Sequence, residues 1–198
     1  FEDIFVSEKR EDGKWGPATQ PKGDLNTIYH DAVVGLSADG QSLYVFKTDG
    51  DLYVSKLDGD IWGKPVRLSR NINSSSKESS ASFSNDYNSI YFVSERDGGY
   101  GGQDIYVSRK TEKGKWGEAS NLGPEINTIY DEEGIFAHPD GKTFYYSSKG
   151  QGSMGGYDIF KIVFEKGKWS EPQNLGYPIN TTGDDIFFRM NASGTMGY

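Results

Sequence analysis

The glycine-rich stretch GQGSMGGYD, residues 150–158, contains the first spacing that could do chemistry. Gly150, Gly152 and Gly155 match G-x-G-x-x-G, the pattern of a dinucleotide-binding loop. Such a loop holds pyrophosphate only between a strand and a helix, because the helix N-terminus binds the phosphate. Here the segments TFYYSS and DIFKI flank the glycines, and their β-branched and aromatic residues indicate two strands. The sequence therefore predicts a hairpin tip, with no nucleotide and no other cofactor.

Nucleophilic and metal chemistry have little support in the sequence. There are no cysteines and only two histidines, and neither a G-x-S-x-G elbow nor an EF-hand calcium loop is present. The net charge of -8 disfavours binding to the backbone of a nucleic acid. No apolar run is long enough to span a membrane. We therefore expect no catalytic residue, no metal site and no nucleic-acid partner.

Two sets of residues show that the chain repeats itself. The four tryptophans lie 47, 54 and 53 residues apart, and the asparagines of LNT, INS, INT and INT have the same separations. These structural markers are Trp15, Trp62, Trp116, Trp169, Asn26, Asn73, Asn127 and Asn180. We expect the tryptophans to pack between or along blades, and the asparagines to bond the backbone of the connections.

Each repeat contains four short segments with strand-type residues, separated by turn residues such as HPDG. Four strands at this period are typical of a propeller blade. The predicted fold class is all-β, a β-propeller of four-stranded antiparallel blades. We place a half-blade at 1–20, full blades at about 31–68, 78–122 and 131–175, and a half-blade at 184–198. We expect these three full blades and two half-blades to belong to a larger ring, with closure by four blades as the alternative.

A family resemblance covers the whole chain, with looser copies in SADGQSLYVF and SNDYNSIYFVS. HPDGKTFYYSS, GGYDIF, GKWSEPQNLG and PINT resemble the WD40-like β-propeller repeats of envelope proteins in Bacteroidetes-type bacteria. Members of that family often lie between tetratricopeptide repeats and an OmpA-like peptidoglycan-binding domain, and one branch resembles outer-membrane lipoproteins associated with type IX secretion. The resemblance implies a periplasmic, outer-membrane-associated protein with other envelope proteins as partners. Membrane association would come only through modules outside this chain.

Acidic residues follow each marker asparagine and form a second group of candidates. They are Asp31, Glu78, Asp131, Glu132, Asp184 and Asp185. If these residues open the inner strands, their carboxylates surround one mouth of the central channel. Repeated negative charge around one axis attracts a cation or a basic segment. The alternative is that they cap turns and keep the mouth soluble.

The loops GGYGG and GQGSMGG differ between repeats, and loops on a rigid scaffold often carry binding specificity. Tyr100, Met154 and Tyr157 are therefore candidate partner-binding residues. Because every recurrent residue has a packing or turn role, we expect a non-catalytic scaffold for protein interaction, and a type IX secretion component is one form of it. Two alternatives remain open. One is the propeller domain of a carbohydrate-active enzyme or serine peptidase, and the other is a channel that binds a cation or a basic peptide.

Overall fold

The computed structural model describes residues 2–37, 39–150, 152–191 and 193–197. The chain divides into two compact units, Phe1–Leu68 and Ser69–Tyr198. The described residues form β-strands and no α-helix, so none of them lies in a helix that could cross a membrane. The strands are β1 (Asp31–Leu36), β2 (Ser42–Lys47), β3 (Leu52–Asp58), β4 (Ile61–Trp62), β5 (Val66–Arg67), β6 (Glu78–Phe83), β7 (Ser89–Ser94), β8 (Asp104–Arg109), β9 (Ser120–Asn121), β10 (Glu132–Ala137), β11 (Thr143–Ser148), β12 (Asp158–Glu165), β13 (Lys168–Trp169) and β14 (Gln173–Asn174).

The first unit contains one antiparallel sheet in the order β1-β2-β3-β4, and β5 also pairs with β3. Alternation along β2 places Leu43 and Val45 on the same face, because successive side chains of a strand point to opposite faces. These two residues pack with Ile4 and Leu25 to form the core of this unit.

The second unit contains two sheets built in the same way. One has the order β6-β7-β8-β9, and the other has the order β10-β11-β12-β13 with β14 also paired to β12. Their shared core includes Val93, Ile105, Ile126, Ile135 and Ile162, all of them buried. The predicted all-β class with four-stranded antiparallel blades is therefore confirmed.

The first strand of every sheet carries a β-bulge near its start. The register shifts between Val33 and Gly35 in β1, after Glu78 in β6, and between Glu133 and Phe136 in β10. A bulge adds one unpaired residue and increases the local twist of the strand. The three sheets thus share a detail of register that the repeat in sequence does not reveal by itself.

The two terminal segments pair through isolated bridges, and the half-blades placed there stay a prediction. Among the described residues, the first 20 contain only the isolated bridges Val6–Thr19 and Lys9–Trp15, and the last segment contains the bridge between Met190 and Gly197. Short stretches with few cross-strand partners do not sustain a ladder. The end of the second half-blade, Tyr198, lies outside the described residues.

The glycine-rich loops join β7 to β8 and β11 to β12, and a strand follows each of them, so neither is a dinucleotide-binding loop. A Cβ atom on Gly101 would lie 1.9 Å from the carbonyl oxygen of Tyr130, and one on Gly155 would lie 2.4 Å from the carbonyl carbon of Thr182. Only glycine allows such a close approach of two backbone segments. These glycines therefore let each loop pass against the start of the following repeat.

Candidate functional site

The marker asparagines Asn127 and Asn180 each fasten a connection to the third strand of the sheet before it. The side chain of Asn127 accepts a hydrogen bond from the Ile105 N–H at 2.7 Å and donates one to the Ile105 carbonyl at 2.9 Å. Asn180 makes the same pair with Ile159, at 2.8 and 3.0 Å. The two amides are fully buried, so they satisfy backbone groups that water cannot reach.

The marker tryptophans differ in burial. Trp169 packs edge-on against Phe144 with ring centroids 5.1 Å apart, and Trp62 packs against the core of the first unit. Trp116 is half-buried, whereas Trp15 is 68% exposed. The three partly buried indoles stabilise the outer strands by covering apolar surface.

Three of the candidate carboxylates, Asp31, Glu78 and Glu132, lie five residues after a marker asparagine and are buried. Each accepts hydrogen bonds from the N–H and the hydroxyl of the residue four positions earlier. For Glu132 the donors belong to Thr128, at 3.0 Å from the N–H and 2.7 Å from the hydroxyl. These carboxylates therefore close their own turns and do not face solvent.

The other three candidate carboxylates are more accessible. Asp184 is exposed and accepts the N–H of Tyr157 at 3.0 Å. Asp185 is half-buried, and Asp131 is half-buried with Lys149 at 3.0 Å. The arrangement of all six carboxylates around one channel stays a prediction.

The buried carboxylates differ in their cationic partners. Asp31 pairs with Lys47, and Glu78 pairs with Arg96 at 3.3 Å. Glu132 has no Lys, Arg or His within ion-pair distance among the described residues. Buried carboxylates without a cation are uncommon, because desolvation disfavours the charged form.

This difference appears in the pKa values. Burial acts to raise the pKa of Asp31, but hydrogen bonds from Lys47 and Thr27 outweigh it and hold that pKa below its ordinary value. Burial raises the pKa of Glu132 to about 7, and the charge of Asp104 adds to the rise. Hydrogen bonds from Thr128 and Ser148 oppose the rise without cancelling it. Glu132 therefore exchanges its proton near neutral pH.

A polar group that we call the Lys149 cluster consists of Lys149, Asp131, Tyr157 and Gln103. The ammonium of Lys149 lies 3.0 Å from the Asp131 carboxylate and 4.4 Å from the centroid of the Tyr157 ring. The Tyr157 hydroxyl donates a hydrogen bond to the Gln103 side-chain carbonyl at 3.0 Å. Asp131, Gln103 and Tyr157 precede β10, β8 and β12, and Lys149 follows β11, so the cluster lies at one end of two neighbouring sheets.

The protonation states of the cluster follow from its contacts. The hydrogen bond to Asp131 raises the pKa of Lys149, which therefore stays charged. Burial raises the pKa of Tyr157, which keeps its proton. A cation that contacts both a carboxylate and a phenol ring provides groups that can polarise a carbonyl group and transfer a proton.

Sequence analysis singled out Tyr157 and Asp131 but missed Lys149 and Gln103. Neither Lys149 nor Gln103 recurs: Glu95 occupies the position equivalent to Lys149, and Tyr157 itself occupies the position equivalent to Gln103. The available signal was a polar residue at a strand end that changes from one repeat to the next.

The other two candidate loop residues lie outside the cluster. The side chains of Tyr100 and Met154 are 50% and 48% exposed. Their backbone N–H groups donate to the buried carboxylates of Asp104 and Asp158, at 2.5 and 2.8 Å. The loops are therefore fixed at their backbones while these side chains face solvent.

The described residues contain no group of three or more His, Asp or Glu side chains that could hold a metal ion.

No family model and no curated protein matches the sequence. Solved structures match the fold. TolB from Acinetobacter baumannii has a TM-score of 0.58 at 16% identity, with 96% of this chain and 41% of that chain covered. The Pseudomonas aeruginosa periplasmic gluconolactonase PpgL has a TM-score of 0.52 at 15% identity, with coverages of 98% and 55%. A candidate 6-phosphogluconolactonase from Bacteroides uniformis has a TM-score of 0.51 at 15% identity, with coverages of 98% and 56%. This chain thus spans about half the length of the structures that it matches.

The likeness to these structures confirms the β-propeller fold, since TolB and the 6-phosphogluconolactonase are propellers. It contradicts the predicted function. Structures described as lactonases cover 98% of the chain, so the predictions of a non-catalytic scaffold and of a protein that is not an enzyme are wrong. The alternative of a carbohydrate-active propeller is the better supported one. The recurrent residues misled the sequence argument, because they report packing and give no information about residues that occur once.

Proposed function

We propose that this chain forms part of a catalytic β-propeller that hydrolyses a sugar lactone. The observation that carries the proposal is the Lys149 cluster, in which a cation, a carboxylate and a phenol meet at the loop end of two sheets. The side chains of Lys149 and Asp131 are 42% and 33% exposed, so a substrate can reach both of them.

Lactone hydrolysis needs a base for the attacking water and positive charge for the oxygen of the carbonyl group. The Asp131 carboxylate takes a proton from water as the water oxygen attacks the carbonyl carbon. The Lys149 ammonium stabilises the negative charge on the former carbonyl oxygen. The carbonyl group then re-forms, the bond to the ring oxygen breaks, and that oxygen takes the proton from Asp131, which gives the open hydroxy acid. Tyr157 and Gln103 offer hydrogen bonds to the hydroxyl groups of the sugar.

The names of two matching structures support the substrate class, since they are described as a gluconolactonase and a candidate 6-phosphogluconolactonase. PpgL is described as periplasmic, which supports a periplasmic location for this protein as well. We further propose that the chain belongs to the WD40-like envelope family that its repeats resemble, and that it is associated with the outer membrane.

The test is steady-state hydrolysis of glucono-δ-lactone by the purified protein, followed as acid release above the spontaneous rate. Lys149→Met and Asp131→Asn should each lower kcat by at least about 100-fold. Lys113→Met and Asp97→Asn remove the same charges from exposed positions outside the cluster and should leave kcat unchanged.

Two further substrates distinguish lactone hydrolysis from other hydrolytic activities. p-Nitrophenyl glycosides report glycoside hydrolysis, and p-nitrophenyl acetate reports unselective ester hydrolysis. Turnover of the lactone alone, lost in both cluster variants, supports the proposal. Full activity in Lys149→Met, or turnover of glycosides in place of the lactone, overturns it.

A further inference from the structure

In each of the first two sheets of the chain, a Lys or Arg side chain lies beside the buried carboxylate that follows the marker asparagine. In the second sheet this cation is Arg96. Its guanidinium donates to the Ile72 carbonyl at 2.6 Å and to the Ser94 hydroxyl at 2.9 Å, and it lies 3.3 Å from Glu78. It also lies 4.8 Å from the centroid of the Tyr106 ring, so a carbonyl, a hydroxyl, a carboxylate and an aromatic face all contact one positive group.

The first sheet repeats this environment with a different cation. The ammonium of Lys47 donates to Asp31 and, at 3.4 Å, to the carbonyl of Leu25. It lies 5.9 Å from the centroid of the Tyr53 ring. Lys47 aligns with Ser94 in the strand pairing, two residues before Arg96, but its ammonium contacts the equivalent carboxylate and the equivalent carbonyl, since Leu25 precedes its marker asparagine just as Ile72 precedes the next one.

The third sheet keeps the ligands of this cation and lacks the cation itself. Glu132 takes the place of Glu78, Ser148 that of Ser94, and Ile126 that of Ile72. Ser148 donates to Glu132 at 2.8 Å, as Ser94 does to Glu78. The residue two positions after the serine is Arg96 in the second sheet and Gly150 in the third.

The aromatic walls are also retained. Tyr146 and Phe160 stack with centroids 5.9 Å apart at 25°, and their equivalents Phe92 and Tyr106 stack at 6.2 Å and 27°. The third sheet therefore keeps equivalents of the two rings, Phe92 and Tyr106, that contact the Arg96 guanidinium in the second sheet.

A cavity of 240 Å³ lies at this place in the third sheet. Its lining among the described residues includes Ile126, Ser148, Gly150, Tyr146, Phe160 and Trp169. Two carboxylate residues, Glu125 and Glu171, also line it, and no Lys, Arg or His does. The nearest lysine along the chain, Lys149, is engaged with Asp131 and Tyr157. A cavity with aromatic walls and carboxylates in its lining favours organic cations over anions and neutral ligands.

We propose that this cavity, named here the Gly150 cavity, binds a guanidinium group supplied in trans. The group takes the place that the Arg96 side chain fills in the second sheet. Ser148 and the Ile126 carbonyl are acceptors in the lining, and Tyr146 and Phe160 are the walls. The buried Glu132 lies behind Ser148, which donates to it at 2.8 Å, and supplies the negative charge. The cavity is smaller than the ~300–1,000 Å³ of typical sites for drug-sized ligands, which fits a single side chain or a small free guanidine. This site is separate from the Lys149 cluster and does not depend on the proposed hydrolysis.

Calorimetric titration with methylguanidinium chloride tests the proposal, and methylurea serves as the neutral probe of the same shape. The wild-type protein should bind one methylguanidinium ion and no methylurea. Gly150→Arg supplies the cation in cis and should abolish binding. Glu132→Gln removes the buried charge and should weaken binding at least about tenfold, because charge-assisted hydrogen bonds become neutral ones.

The second sheet offers a matched control. Arg96→Ala opens the equivalent position there and should add a second binding site for methylguanidinium. If Gly150→Arg or Arg96→Ala does not fold, Glu132→Gln and Tyr146→Leu still test the site, since the first removes the charge behind Ser148 and the second removes an aromatic wall.

Two further ligands, titrated in the same way, distinguish the possible sources of the guanidinium group. Agmatine represents a free guanidine, and the tripeptide Gly-Arg-Gly represents an arginine side chain of a protein. Binding of either that Glu132→Gln weakens supports the proposal, and their ratio identifies the source. No heat with any guanidinium probe, equal binding of methylurea, or unchanged affinity in Glu132→Gln overturns it.

Discussion

Glu132→Gln should stabilise the protein at neutral and alkaline pH. In the folded state the pKa of Glu132 is raised from 4.5 to about 7, chiefly by burial. The folded state therefore binds the proton more tightly than the unfolded state does, and stability falls as the pH rises between these two values. This rise in pKa corresponds to about 3 kcal/mol of stability lost once the pH is above about 7, since each pKa unit corresponds to about 1.4 kcal/mol.

Glutamine resembles the protonated form of Glu132 at every pH, so the variant avoids this loss. Its side-chain carbonyl can accept the Thr128 N–H, and its amide can donate to the hydroxyls of Thr128 and Ser148, which can rotate to accept. Near pH 8 we expect Glu132→Gln to be about 3 kcal/mol more stable than the wild type, and near pH 4 we expect the two to be equal.

The measurement is the free energy of unfolding by urea, across this pH range. Guanidinium chloride is avoided because its cation is the proposed ligand of the Gly150 cavity. Glu78→Gln is the matched control. It should destabilise the protein by about 3–5 kcal/mol, because Arg96 is left buried without its counter-ion. A Glu132→Gln variant that loses as much stability as Glu78→Gln near pH 8 would refute the argument.

The remaining predictions concern the contacts that hold the repeats. Asn127→Ala should lower the free energy of unfolding by about 1–3 kcal/mol, because it removes the side-chain acceptor of the buried Ile105 N–H, whereas the Ile105 carbonyl keeps the Leu122 N–H as a donor. Urea unfolding measures this loss, and a loss below about 0.5 kcal/mol would contradict the role of the amide. Gly101→Ala should lower the melting temperature by several degrees, because its Cβ would meet the Tyr130 carbonyl oxygen. Gly183→Ala has only ordinary contacts and serves as the control, so equal melting temperatures for the two variants would contradict the close-approach argument.

The repeat could be predicted from the sequence because its marker residues have the same structural role in successive repeats. The asparagine before each connection has the same buried backbone pair in two sheets, so its spacing reports the blade period. The glycines at 150–156 were correctly separated from a nucleotide loop, because β12 follows them. The half-blades follow from the same period and stay a prediction. The bridges Val6–Thr19 and Lys9–Trp15 repeat the pairs Val107–Ser120 and Lys110–Trp116 of the second sheet.

The candidate site was harder to predict, since its residues do not recur. Tyr157 and Gln103 occupy equivalent positions and contact each other across two repeats, which no local pattern predicts. The burial of Glu132 and its high pKa depend on packing. One signal was available: aligning the repeats places Gly150 opposite Arg96, and this change removes a cation while its carboxylate partner remains.

The most direct test of the proposed function is the initial rate of glucono-δ-lactone hydrolysis in the presence of the wild-type protein, compared with buffer alone and with Asp131→Asn. We predict a rate that rises in proportion to the concentration of wild-type protein, saturates with substrate, and falls to near the spontaneous rate in the variant. A wild-type rate equal to the spontaneous rate at every protein concentration would contradict the proposal of a catalytic propeller.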